Sequence, residues 1–82
     1  MKIKSKIVEQ TERHIYFIEN DDGKCYVFID HISPNKEQVI RSEMKDHNGH
    51  DIDKQLYRLL FDSVLKEVDR FEAESIVNGN NN

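Results

Sequence analysis

The densest apolar stretches of the chain lie on both sides of a short polar turn. Residues 14–18 and 25–29 are mostly aliphatic or aromatic, and Asp21-Asp22-Gly23 lies between them. Glycine adopts the positive φ of a tight reversal at little cost, so the pattern predicts a β-hairpin. A hairpin with one solvated face alternates apolar and polar residues. Here both faces are apolar.

The length of the hairpin loop decides which residues share a face. A two-residue loop at Asp22-Gly23 and a three-residue loop that includes Asp21 give different pairs, but both faces stay apolar in either register. We favour the three-residue loop because it makes one face aliphatic and the other rich in tyrosine. Its pairs are Tyr16–Phe28 and Ile18–Tyr26 on one face, and Ile15–Ile29 and Phe17–Val27 on the other.

A basic strand is predicted before the hairpin, over residues 2–9, and a polar connection over residues 10–13. Strict alternation places two isoleucines on one face of this strand and three lysines on the other. We interpret the lysines as charges that prevent this edge strand from pairing with the edge of another sheet. The alternative is a basic strip that binds phosphate or an acidic partner. The isoleucines are Ile3 and Ile7, and the lysines are Lys2, Lys4 and Lys6.

Residues 34–45 fit two different structures. The segment Ser33-Pro34-Asn35-Lys36 is compatible with a turn into a fourth strand centred on Val39 and Ile40. It is also compatible with a helix that has Ser33 as its N-cap and runs through Met44. We favour the strand, because hairpins dominate the connections that follow a strong strand directly. A loop over residues 46–50 is predicted next.

A long amphipathic helix is predicted from Asp51, with Asp51 as N-cap and Asp53 near the positive end of the helix dipole. Its apolar arc covers about two-thirds of the circumference. Glu67 falls inside this arc and needs a partner or an exposed rim. Residues 77–82 are predicted to be a disordered tail. The apolar stripe is Ile52, Leu56, Leu59, Leu60, Val64, Val68 and Phe71. Three further apolar residues lie outside this stripe: Tyr57, Phe61 and Leu65. The solvated strip is Arg58, Asp62, Lys66 and Asp69.

These elements predict an α+β fold, with an antiparallel β-meander of three to four strands followed by one long C-terminal α-helix packed on the sheet. Residues 1–76 form its single domain. One helix covers one face of a small sheet, so the second apolar face of the hairpin is left for a partner. We therefore expect a homodimer or a complex with another protein. If residues 34–45 form a helix instead, that helix covers the second face within the monomer.

Composition restricts the class of protein. The 82 residues allow one domain, and the formal net charge of −4 disfavours non-specific binding to duplex nucleic acid. Cys25 is the only cysteine, which excludes an intrachain disulfide and fits a reducing compartment. No apolar segment has the length of a signal peptide or a membrane span. The sequence therefore predicts a cytoplasmic protein without membrane contact.

The side chains that carry catalytic or metal-binding chemistry do not form a recognisable set. His47 and His50 lie in one loop, but a metal site needs three or four converging ligands. Cys25 has no basic neighbour to activate it, and we expect it to be a small buried strand residue. The glycines are too dispersed for a phosphate-binding loop. We expect no catalytic residue, no metal and no cofactor, and hence no enzyme.

Two functions remain for such a domain. The first is a protein-binding module, a regulator or inhibitor that occupies a partner's surface and also associates with itself. Small proteins of phages and mobile elements often act in this way, and the richness in Lys, Asn and Ile fits an AT-rich genome.

The second function is single-stranded nucleic-acid binding, with bases stacked on sheet aromatics beside N-terminal cations. We rank nucleic acid below protein because of the net negative charge. The stacking residues would be Tyr16, Tyr26 and Phe28, and the cations Lys2, Lys4, Lys6 and Arg13. The predicted protein-binding residues are Tyr16, Ile18, Tyr26, Phe28, Tyr57, Phe61 and Leu65.

Overall fold

The computed structural model describes residues 1–9, 12–35 and 38–79 of the chain, with side chains through residue 75. Four strands form one antiparallel sheet in the order β1-β2-β3-β4, and one helix follows. This confirms the predicted meander with a C-terminal helix. The elements are β1 Lys2–Glu9, β2 Arg13–Glu19, β3 Cys25–Ile32, β4 Val39–Asp46 and α1 Lys54–Gly79.

The central hairpin has the predicted three-residue loop. Tyr16 pairs with Phe28 and Ile15 with Ile29. The Asn20 N–H donates to the Lys24 carbonyl at 2.8 Å, and Gly23 closes the turn with φ of +85°. A residue with a Cβ is strained at this φ, so glycine sets the loop length and the register follows from it.

Residues 39–46 form a strand, so the alternative helix over residues 34–45 is wrong. In β4, Met44 pairs with Phe28 and Ser42 with Asp30. The backbone N–H and C=O groups on one edge of β3 would have no partners without β4. Pairing with β4 satisfies them. The Ser33 N–H donates to the Gln38 carbonyl at 2.9 Å and closes the connection. Residues 36 and 37 of the predicted turn lie outside the described residues.

A β-bulge in β1 overturns the predicted alternation of this strand. Ile3 pairs with Ile18, but the next pair along the chain joins Ser5 to Phe17. One extra residue in a strand moves all later side chains to the opposite face. Lys6 therefore lies on the same face of the sheet as Ile3. The polar connection predicted over residues 10–13 falls partly outside the described residues, because 10 and 11 are not among them.

The helix begins at Lys54, two residues later than predicted from an N-cap at Asp51. Asp53, rather than Asp51, is the N-cap, because its Oδ1 accepts a hydrogen bond from the Leu56 N–H at 2.8 Å. Asp51 instead forms an ion pair with Lys45 at 2.7 Å. The helix extends to Gly79, beyond the domain boundary placed at residue 76, and residues 80–82 of the predicted tail lie outside the described residues.

The sheet-facing stripe of α1 is narrower than the predicted arc and slightly rotated. Leu59 belongs to the predicted stripe but is 78% exposed. Tyr57 and Phe61 lie outside it, yet both pack against the core. Periodicity alone predicts that a face is apolar but not how the helix turns on the sheet. Arg58, Asp62, Lys66 and Asp69 are exposed, as predicted for the solvated strip.

The helix covers the tyrosine-rich face of the sheet. The fully enclosed core joins this face to two valines of α1, and no described element covers the other face. We call the uncovered face the outer face. The core residues are Tyr16, Ile18, Tyr26, Phe28, Met44, Val64 and Val68. In the described part of the chain, no helix combines the length and the apolar character that crossing a membrane requires.

Candidate functional site

The outer face has an apolar centre. It contains Ile15 and Phe17 of β2, Val27 and Ile29 of β3, and Ile7 of β1. Ile7 is 50% exposed, Ile15, Phe17 and Val27 are partly buried, and Ile29 is only 6% exposed among its neighbours. The residues of β2 and β3 each lie one position away from a core residue, so strand alternation directs them away from α1, and Ile7 shares their face because it pairs with Ile15. The face is built from cross-strand rows. These rows are Ile7–Ile15–Ile29–Glu43, Ser5–Phe17–Val27–Lys45 and Glu9–Arg13–His31–Arg41.

Charges of both signs border this apolar centre. Along β4, Glu43 accepts a hydrogen bond from His31 Nε2 at 2.5 Å and lies 3.4 Å from Lys45 Nζ. The hydrogen bond with His31, followed by the contacts with Lys45, lowers the pKa of Glu43. Along β1, Glu9 forms an ion pair with Arg13. A partner of either sign therefore finds a matching charge at the border.

The structure brings the seven sequence-predicted binding residues together, but mostly inside the monomer. Tyr16, Ile18, Tyr26 and Phe28 are all between 0% and 6% exposed beneath the helix. Tyr57 and Phe61 are partly buried against them, with ring centroids 5.3 Å apart. Leu65, at 37%, is the most accessible of the set. The residues of the outer face lie on the opposite side of the sheet from this set.

The partner-binding residues predicted from the sequence lie mainly on the face of the sheet that α1 covers. In the structure, the hydroxyl of Tyr16 is satisfied within the monomer, because it donates to Glu72 Oε1 at 2.5 Å. A glutamate near the helix C-terminus is a weak signal for such a pairing.

The same Glu72 oxygen also accepts a hydrogen bond from Lys6 Nζ at 2.5 Å, and this ammonium lies 5.3 Å from the centroid of the Tyr16 ring. Burial alone would raise the pKa of Glu72, but the hydrogen bonds from Lys6 and Tyr16 outweigh it and lower the pKa. Burial and the bond to Glu72 raise the pKa of Tyr16. The cluster fastens β1 and β2 to the C-terminal half of α1.

A second polar group lies farther along the helix-facing side, where α1 leaves a corner of the sheet uncovered. His14 pairs with Asp30 across β2 and β3. Asp30 is only 7% exposed, and its Oδ1 accepts a hydrogen bond from Ser42 Oγ at 2.6 Å. Burial raises the pKa of Asp30 despite this bond. His14 and Asp30 line a cleft of about 380 Å³ between the sheet and α1.

The other candidate chemistry is dispersed. His47 and His50 are exposed in the loop before α1. Within residues 1–9, 12–35 and 38–79, no group of three or more His, Cys, Asp or Glu side chains is placed to hold a metal ion. Cys25 was predicted to be buried but is exposed, because it lies on the outer side of β3 next to the turn.

Comparison of the chain with known protein families, with curated proteins and with solved structures found no match.

Proposed function

We propose that this protein is a non-enzymatic protein-binding module that acts through its outer face, and that a second copy of the same chain occupies this face. The observation that carries the proposal is the apolar centre around Phe17, which no described element covers. Open faces of antiparallel sheets usually carry polar residues at such positions. A contiguous exposed apolar patch on a small domain usually marks an interaction surface.

The size of the face sets the expected affinity. With strands about 4.8 Å apart and about 3.3 Å per residue, a sheet of this size presents roughly 440 Å² in plane. Two such faces bury about 900 Å², which is below the roughly 1,200 Å² of a standard stable interface. We therefore expect a dimer with a dissociation constant in the micromolar range or weaker.

The charged border suits a second copy. Arg41 and Lys45 lie along the β4 border, and Glu9 lies along the β1 border. A twofold axis parallel to the strands places the β4 border of one copy against the β1 border of the other. Arg41 of one copy then meets Glu9 of the other, because both lie in the same cross-strand row, and this contact favours the orientation.

The same face serves a regulator or inhibitor that occupies the surface of another protein. In that case, self-association competes with the partner, because both use the apolar centre. The free protein would then be stored as a weak dimer, and a tighter partner would displace the second copy by mass action.

Single-stranded nucleic-acid binding is not supported by the positions of the aromatic residues. Tyr16, Tyr26 and Phe28 are buried under α1, so they offer no ring face to a base. Lys6, one of the expected cations, is paired with Glu72. A base would find only Phe17 on the outer face of the described strands.

Light scattering coupled to size exclusion tests the proposal. Over a dilution series from about 500 to about 1 μM, we expect the mass to fall from nearly twice 9.7 kDa towards 9.7 kDa. Phe17→Ser with Val27→Ser should keep the protein monomeric throughout this range. The matched control is Leu59→Ser, which removes an exposed apolar side chain from α1 and should leave dimerisation unchanged.

Two results would contradict the proposal. Wild-type protein that stays at 9.7 kDa even at the highest concentration removes the second copy as occupant. Equal dimerisation by the Phe17/Val27 double variant, with a normal melting curve, removes the outer face as the interface. The melting curve separates a lost interface from a lost fold.

A further inference from the structure

The cleft beside α1 combines a buried acidic floor with apolar walls. Its floor is the sheet corner with His14 and Asp30, and its walls include Leu65, Asp69 and Val39. His14 and Asp30 belong to one cross-strand row on the helix-facing side of the sheet. This row is next to the row of Tyr16, at the margin of the area that α1 covers. The cleft lies on the opposite side of the sheet from the outer face, so it is independent of the proposed dimer.

The carboxylates of the cleft exceed its available cations. Lys6, whose charge acts on His14, is already bound to Glu72. Asp30 and Asp69 form no ion pair with any described residue. The cleft therefore has a negative potential that attracts a cation.

The carboxylate of Asp30 is the strongest single feature. It is 7% exposed, Ser42 binds its Oδ1, and no described residue donates a hydrogen bond to its Oδ2. Burial without a cation disfavours the charged form of a carboxylate and raises the pKa of Asp30. An incoming donor with positive charge would stabilise the charged form, which makes Asp30 the expected anchor of a ligand.

His14 supplies a second acceptor. Its imidazole forms no hydrogen bond with the described residues, and burial followed by the nearby charge of Lys6 lowers its pKa below 6.5. Near neutral pH, the ring is therefore mostly uncharged and has a free lone pair. It would accept a hydrogen bond from a cation without repelling it.

We propose that this cleft binds an ammonium or guanidinium group carried on a short aliphatic chain. Such a group has three or more N–H donors, which match the free acceptors of Asp30, His14 and Asp69. The aliphatic chain suits the apolar walls formed by residues such as Val39, Leu65 and Val68. This chemistry has two sources, a free aliphatic amine or the Lys or Arg side chain of another protein.

Titration of ¹⁵N-labelled protein with n-butylammonium and n-butylguanidinium, followed by NMR, tests the proposal. We expect saturable shifts at the amides of His14, Asp30 and Leu65, with a dissociation constant on the order of millimolar for such small probes. Butyrate at equal ionic strength has the same chain and the opposite charge, and it should not bind. Absence of saturable shifts with either cation, or equal shifts with butyrate, overturns the proposal.

Matched charge-removing variants locate the site. Asp30→Asn should weaken binding at least tenfold, whereas Asp62→Asn removes a carboxylate from the exposed strip of α1 and should leave binding unchanged. Asp69→Asn at the exposed wall is the second variant, and about threefold weaker binding is expected because an exposed charge contributes less. Equal binding by the cleft variants and Asp62→Asn contradicts the proposal.

A further pair of probes separates the two sources. An acetylated and amidated Ala-Arg-Ala peptide that binds tighter than n-butylguanidinium indicates a protein side chain, and a free diamine such as 1,4-diaminobutane that binds tighter than the peptide indicates a free amine. Either order supports the shared chemistry. The Phe17→Ser, Val27→Ser variant should bind the probes normally, so failure of the dimer and failure of the cleft are distinguishable.

Discussion

Lys6 Nζ and Glu72 Oε1 lie 2.5 Å apart and join the edge strand β1 to the C-terminal half of α1. The bulge in β1 creates this pair, because strict alternation would direct Lys6 to the opposite face. The Lys6 side chain is 17% exposed and that of Glu72 is 37% exposed. The pair is therefore partly shielded from water.

Replacing Lys6 with Met should destabilise the protein by about 1 kcal/mol, because it removes a charged hydrogen bond from a half-shielded carboxylate. For a domain of this size, that loss lowers the melting temperature by about 4–8 °C. Thermal unfolding followed by circular dichroism measures it. Lys2→Met is the matched control, since Lys2 is exposed and forms no ion pair with the described residues. Equal effects of the two variants would contradict a special role for Lys6.

Replacing Asp30 with Asn should stabilise the protein near neutral pH. Burial raises the pKa of Asp30, so its ionisation costs stability as pH rises from 3.8 through the raised value. Asn removes this cost and can still accept the hydrogen bond of Ser42. The gain in melting temperature should disappear below pH 3.8, where the carboxyl is protonated in both folded and unfolded chains. A gain that persists at low pH, or one matched by Asp62→Asn, would show that ionisation of Asp30 is not its cause.

Replacing Asp53 with Ala should destabilise the protein by about 1 kcal/mol, because it leaves the Leu56 N–H at the start of α1 without its cap. Asp51→Ala should cost less, since Asp51 forms only an exposed ion pair. Urea unfolding of the two variants compares them directly. A larger loss of unfolding free energy for Asp51→Ala than for Asp53→Ala would indicate that Asp51 is the N-cap, as predicted from the sequence.

Two phenylalanines on opposite faces of the hairpin should respond differently to truncation. Phe28 is 0% exposed, and Phe28→Ala should cost about 3–5 kcal/mol, enough to abolish cooperative folding in a chain this small. Phe17 lies on the outer face, and Phe17→Ala should keep a cooperative melt while weakening association. Chemical denaturation and light scattering on the same samples give both readouts. Comparable losses of stability would mean that the outer face contributes to the monomer as much as the core does.

Local sequence determined the elements of this fold. The turn around Gly23 set the length of the loop, and the pairs of the central hairpin followed from that length. The β-branched residues Val39 and Ile40 after a strong strand were sufficient to favour β4 over a helix. The apolar stripe predicted α1 because a period of 3.6 residues repeats over many turns. These signals act between neighbours along the chain, so a single sequence contains them.

The tertiary structure decided which surfaces these elements bury. Both faces of the hairpin are apolar, so either could have met α1, and the choice depended on how Tyr16 and Lys6 converge on Glu72. The bulge in β1 and the rotation that exposes Leu59 likewise result from fitting one helix onto one sheet. The cleft at Asp30 is formed by side chains from separate strands and from α1, at the margin of the area that the helix covers. Periodicity describes each element separately, whereas these contacts join residues far apart in the chain, so packing alone determined them.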